Sequence, residues 1–87
     1  MNYSNKDLAL YHFGACPYCR KVRDKLAELK LHIELRDIKK HSHFRQELLS
    51  KGGKATVPCL RIKQDKGYRW LYESNDIIKF ISTQVKK

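Results

Sequence analysis

Two cysteines separated by two residues, Cys16-Pro17-Tyr18-Cys19, carry the clearest chemistry in this 87-residue chain. Thiols at that spacing can close a disulfide, and one can attack a foreign disulfide while the other resolves the mixed product. Cys16 is the expected attacking thiolate, and Cys19, drawn into the segment that follows, the expected resolving thiol. Pro17 suits the first turn of a helix, where its missing N–H removes no intrahelical bond. A thiol at a helix start meets unsatisfied backbone N–H groups and the positive end of the dipole. Arg20 and Lys21 add positive charge just inside, and each of these effects favours the thiolate form. The same spacing is half of many zinc sites, with His12, His32, His41 and His43 as further ligands. A zinc site usually takes its second pair at a similar short spacing. The close histidine pair, His41-Ser42-His43, falls in an expected loop, so no metal site is expected.

Two further elements could serve such a thiol. In Thr56-Val57-Pro58 a proline opens a strand, an unusual place for it. An X–Pro bond adopts cis at modest cost, which would leave the N–H and C=O of Val57 open to pair with an extended peptide. At Glu73-Ser74 a helix start could hold a carboxylate while Glu73 accepts from an amino group. Together they would suit an amino-acid zwitterion.

Periodicity supplies the elements that position these residues. The apolar and aromatic run Leu8-Ala9-Leu10-Tyr11-His12-Phe13 reads as a buried strand ending at Gly14. Val22, Leu26 and Leu29 recur at helical spacing, so residues 17–30 read as an amphipathic helix. Residues 31–37 alternate, with Leu31, Ile33 and Leu35 on one face, and predict a strand with one wet side. A second helix is expected over 42–51, buried through Phe44, Leu48 and Leu49, capped by Ser42 and ended by Gly52-Gly53. Residues 56–63 and 68–72 read as strands around a turn at Gln64-Asp65-Lys66-Gly67. Ser74 caps a last helix over 75–85, with Ile77, Ile78, Ile81 and Val85 inward. The order βαβαββα makes the first two strands parallel through a right-handed crossover and the last two an antiparallel hairpin. The expected fold class is α/β: a four-stranded mixed sheet flanked by helices, in a single domain over residues 1–87.

Composition narrows the function classes. Hydrophobic residues at 41% and charged ones at 32% suit a soluble globular domain. No apolar run approaches the roughly 20 residues needed to span a bilayer, and the first residues lack the apolar stretch of a secretory signal. A cytoplasmic location and no membrane partner are therefore expected. The net charge of +10 raises the question of nucleic acid, but the 19 Lys and Arg are scattered without a recognisable motif. A positive field that steers anionic partners is the expected consequence. Cys59 reads as a small buried strand residue; if Pro58 faces the motif, Cys59 points away from it.

The three elements, in this order and spacing, resemble the glutaredoxin family over nearly the whole chain. The resemblance implies a thioredoxin-like fold and glutathione as co-substrate; no bound cofactor and a monomer are expected. It also implies reduction of protein–glutathione mixed disulfides and protein disulfides. Carried over, Cys16 is the nucleophile with Cys19 its partner, Tyr18 flanks glutathione, and Val57 in Thr56-Val57-Pro58 pairs with the cysteinyl backbone. Two departures stand out. The usual glycine pair before the last helix is replaced by Trp70 and Leu71, and Glu73-Ser74 looks like the γ-glutamyl element of glutathione transferase N-terminal domains. Phe13 stands where many members have Lys or Arg for the glycyl carboxylate, leaving Arg20, Arg45, Lys51 and Lys54 as candidates. The alternative reading is a module that binds a metal or iron–sulfur cluster through Cys16 and external thiols. Glutathione conjugation is not expected from 87 residues, which leave nothing to form a hydrophobic-substrate pocket.

Overall fold

A computed structural model describes residues 3–86. Strand β1 (Tyr3–Ser4) and a short 3-10 turn lead into β2 (Leu8–His12), α1 (Pro17–Glu28), β3 (Glu34–Asp37) and α2 (Ser42–Gly52). Strands β4 (Cys59–Lys63) and β5 (Tyr68–Leu71), helix α3 (Ser74–Thr83) and strand β6 (Val85–Lys86) complete the chain. The main sheet has the order β3-β2-β4-β5, with β2 parallel to β3 and antiparallel to β4, and β4 antiparallel to β5. This is the expected βαβαββα order. The hairpin turn also matches, with the Gln64 N–H donating to Gly67 O at 2.9 Å and Gly67 at φ 94°. No helix among the described residues is long and apolar enough to cross a membrane.

Strand alternation divides the core between the two faces of the sheet. Leu8, Leu10, Leu60 and Ile62 face α1 and α3, packing on Val22, Leu26, Ile77, Phe80 and Ile81. Tyr11 and Cys59 point to the opposite face, onto Leu48 of α2 and Ile38. Central strand β2 is covered on both sides, so all five of its residues are buried and it shows no polar alternation. The buried Tyr11 hydroxyl donates to Glu47, which also accepts from Arg36, and Arg36 holds Glu34 at 2.7 Å. One ionic network therefore ties β2 and β3 to α2. Burial, then the bond to Glu47, pushes the Tyr11 phenol up to about 12.

Several expectations change. Residues 3–4 pair in parallel with 85–86, so Val85 lies in a strand rather than in the last helix. Lys30 at φ 56° turns the chain out of α1, and β3 starts only at Glu34. Leu35 is 47% exposed because β3 is the sheet edge, and Leu49 is 51% exposed because only Leu48 on that turn reaches the sheet. His41, not Ser42, occupies the N-cap position of α2, and Glu73, not Ser74, that of α3. Strand β4 opens at Cys59 and not at Thr56.

Gly52, in the last turn of α2, sits against the β4–β5 face. A Cβ there would meet the Tyr72 hydroxyl at 2.5 Å and the Trp70 ring at 3.0 Å. That hydroxyl donates to Gly52 O at 2.8 Å and to Lys54 O at 3.2 Å. Gly52→Val is expected to displace Tyr72 and lower stability by about 2 kcal/mol, read as a lower urea midpoint with unchanged slope. An unchanged midpoint would show that the ring relocates freely.

Candidate functional site

Register brings the three sequence elements to one edge of the sheet. Tyr11 pairs with Cys59 and Leu60 with Leu71. With the register extended, Tyr11, Cys59 and Tyr72 share one level and His12, Pro58 and Glu73 the next, and the chain continues from His12 through the loop to Cys16 at this same end of the strands. The Val57–Pro58 peptide is cis. Neither the N–H nor the C=O of Val57 has a backbone partner among the described residues. The starts of α1 and α3 are joined directly, with Lys21 Nζ donating to Asn75 Oδ1 at 2.7 Å.

Cys16 is the N-cap residue of α1, and its Sγ accepts the Cys19 N–H at 3.4 Å. Pro17 occupies the first turn as expected. Cys16 retains 7% exposure, whereas Cys19 and Cys59 have none. Burial, then the bond with Cys16, pushes the Cys19 thiol up to about 12. Burial does the same to Cys59. Cys59 faces the α2 side of the sheet, packed with Tyr11 and Leu48, as its strand parity requires. All three cysteines are free thiols.

Arg23 holds the loop that leads into Cys16. Its guanidinium donates to Phe13 O at 3.3 Å and Gly14 O at 3.1 Å and contacts His12 Nδ1 at 3.1 Å. Burial, then the charge of Arg23, lowers the His12 pKa, so the imidazole is neutral and accepts from Arg23. Helical periodicity places Arg23 simply on the polar face of α1; its reach back to the loop is a tertiary contact.

The other candidates divide. Tyr18 is 63% exposed beside Cys16, Pro58 is buried, Val57 and Ser74 are half-buried, and Thr56 and Glu73 are exposed. Among the proposed cations, Arg20 lies along its own helix 3.9 Å from Asp24, and Lys54 Nζ sits 4.6 Å over the Tyr72 ring. Arg45 and Lys51 are exposed on α2. Lys39 was not among them, yet its Nζ lies 4.4 Å over the ring of Phe13. The turn after β3 brings it there, with Asp37 accepting the N–H groups of Lys39 and Lys40 at 2.9 and 3.0 Å. Among the described residues no group of three or more His, Cys, Asp or Glu is placed to hold a metal. Two surface cavities, about 320 and 430 Å³, lie beside α3 and between α1 and β3, and Cys16 lines neither.

A parallel β2–β3 pair, an antiparallel β4–β5 hairpin and a cysteine at the start of α1 define a thioredoxin-like domain. Within that class the chain belongs to the glutathione S-transferase N-terminal domain family, whose model matches residues 10–86. It is similar to glutathione S-transferase isozyme E7 of Drosophila melanogaster, with 30% identity and TM-score 0.65, covering 88% of this chain and 34% of that one. An epsilon-class glutathione S-transferase from the housefly, Musca domestica, shares 26% identity at TM-score 0.66 over 92% of this chain and 36% of its own. The glutaredoxin of Archaeoglobus fulgidus matches at TM-score 0.67 and 18% identity over 87% of this chain and 86% of its own, a likeness of fold. The chain thus spans about a third of the length of these transferases. No curated protein matches it in sequence.

Proposed function

We propose that this domain is a glutathione-dependent thiol–disulfide oxidoreductase. The observation that carries the reading is Cys16 at the N-cap of α1, its sulfur accepting the N–H of a second cysteine one turn on. Family membership supports glutathione as the partner. In the proposed cycle the Cys16 thiolate attacks the glutathionyl sulfur of a protein–glutathione disulfide. A Cys16–glutathione bond forms, the mixed disulfide breaks, and the protein leaves as a thiolate that takes up a proton. A second glutathione thiolate attacks the bound glutathionyl sulfur, releasing Cys16 and oxidised glutathione. With a protein disulfide, Cys16 forms a mixed disulfide with the protein. Cys19 then displaces the protein thiol, and two glutathiones reduce the Cys16–Cys19 bond.

In this reading Val57 pairs its free backbone groups with the cysteinyl unit, and Thr56 and Pro58 shape that segment. Tyr18 flanks the ligand, and Glu73 with Ser74 receives the γ-glutamyl end at the start of α3. Lys39 and Lys54, each over an aromatic ring at this edge, are the cations best placed for the glycyl carboxylate. A second reading, the glutathione-binding part of a conjugating enzyme, rests on the family alone. Turnover of a model electrophile by this chain would favour it.

The test is mass spectrometry after incubation with oxidised glutathione. The expected products are one glutathionyl group on Cys16 or a Cys16–Cys19 disulfide, with Cys59 untouched. Brief alkylation of the reduced chain at pH 7 should modify Cys16 alone, since Cys19 and Cys59 are fully buried with thiols near 12. Modification first at Cys59, or none at Cys16, would remove the proposed nucleophile.

A further inference from the structure

The thiol site explains one edge of the sheet, but a second feature lies along α1. Between this helix and β3 runs a groove of about 430 Å³. Its floor includes Leu26, Ile33 and Leu35, and its charged or titratable lining is Arg23, Lys30 and His32, with no carboxylate. Leu35 is 47% exposed. Beside it, β3 is the terminal strand of the sheet. Its backbone at residues 34–36 pairs only with β2 among the described residues. Of the two acids on that strand, Glu34 is held by Arg36 at 2.7 Å and Asp37 accepts the N–H groups of Lys39 and Lys40, and neither lines the groove.

We propose that this groove docks an extended acidic segment of the protein substrate, with aliphatic side chains between its carboxylates; the proposal rests on the oxidoreductase reading. An open strand edge offers main-chain hydrogen bonds, which a polypeptide satisfies and a lipid does not. Alternate side chains of an added strand would drop onto Leu26, Ile33 and Leu35, and carboxylates would meet Arg23 and Lys30. A second copy of this chain is disfavoured, because a net charge of +10 would be set against an equally basic surface.

The groove is within reach of the thiol. Arg23 lines it and also donates to Phe13 O and Gly14 O, immediately before Cys16. Arg23 lies seven positions beyond Cys16 along α1, about 10 Å at the helical rise. An extended chain covers that distance in about three residues. A substrate whose cysteine engages Cys16 therefore places residues three or more positions away over the groove. Specificity for the protein would reside there, and the sulfur chemistry at Cys16.

The experiment uses the reduced full chain and a ten-residue peptide alternating Leu with Asp and Glu, without cysteine. Its partner peptide replaces the acids with lysine. Amide shifts in ¹⁵N-labelled protein should concentrate at 33–36 and on α1 between Arg23 and Lys30. Affinity for the acidic peptide should exceed that for the lysine peptide about tenfold and fall with salt. Leu35→Glu and Lys30→Glu, both at exposed positions, should each weaken binding about fivefold or more. Equal binding of the two peptides, shifts confined elsewhere, or wild-type affinity in both variants would overturn the proposal. So would binding to phosphatidylglycerol vesicles that the acidic peptide fails to displace. Because the peptide carries no sulfur, these outcomes are independent of Cys16 turnover. Absence of disulfide exchange with intact peptide binding would count against the oxidoreductase reading and leave the groove standing.

Discussion

Cys16→Ser is expected to abolish reduction of glutathionylated substrate, lowering turnover by on the order of 10³-fold or more, as removal of a nucleophile does. A serine hydroxyl forms no mixed disulfide, so nothing replaces the Cys16–glutathione step. The substitution also isolates chemistry from folding. Cys16 is the N-cap of α1 and its sulfur accepts the Cys19 N–H, and serine is among the preferred residues for that position. The variant should melt close to the parent while losing activity. Retained turnover in a folded variant would move the nucleophile elsewhere, and a large drop in melting temperature would mean that the sulfur has a structural role instead.

The second large effect is a division of activities in Cys19→Ser. Cys19 is fully buried one turn into α1, and its thiol stands near 12. It is therefore a poor attacking group until Cys16 holds a partner in disulfide linkage beside it. Transfer of glutathione needs Cys16 alone and should stay within about threefold of the parent. Reduction of a protein disulfide needs Cys19 to displace the mixed disulfide and should fall by on the order of 100-fold. The two rates, measured on one preparation with a glutathionylated protein and an intramolecular protein disulfide, make the comparison. An equal loss of both would show that Cys19 shapes the site and does not resolve it. Arg23 is the charged group that holds the loop before Cys16 and acts on Cys19, so in the proposed cycle it would bear on both steps.

The comparisons shift the emphasis between two likenesses already present in the residues. Cys16-Pro17-Tyr18-Cys19 and Thr56-Val57-Pro58 resemble the glutaredoxin pattern, while Glu73-Ser74 resembles the transferase one. The family is that of the transferase N-terminal domain, and the likeness to a glutaredoxin is at the level of fold. Four residues at a helix start can thus imply a chemistry without naming the family, because thiolate stabilisation at a dipole is a local property.

Local patterns account for most of what the chain discloses by itself. Alternation and helical periodicity act over a few residues, so the order βαβαββα, the first turn at Pro17, the Gln64–Gly67 turn and the inward direction of Cys59 were all legible. Contacts between distant segments leave no such trace. The β1–β6 pairing involves two residues on each side and carries no periodicity. Leu35 and Leu49 satisfy the apolar pattern of their elements, yet lie where the sheet edge and the turn of the helix leave them uncovered. The same limit holds around Cys16-Pro17-Tyr18-Cys19. Sequence determines that a thiol stands at a helix start with a second thiol one turn behind. Only tertiary structure decides that Arg23 ties down the loop, that Lys39 covers Phe13, and that the segments around Pro58 and Glu73 lie at the same end of the strands as the loop leading to Cys16. The reason is physical: a helix start is set by the residues within one turn of it, whereas those neighbours are chosen by strand register and by burial shared across the whole domain.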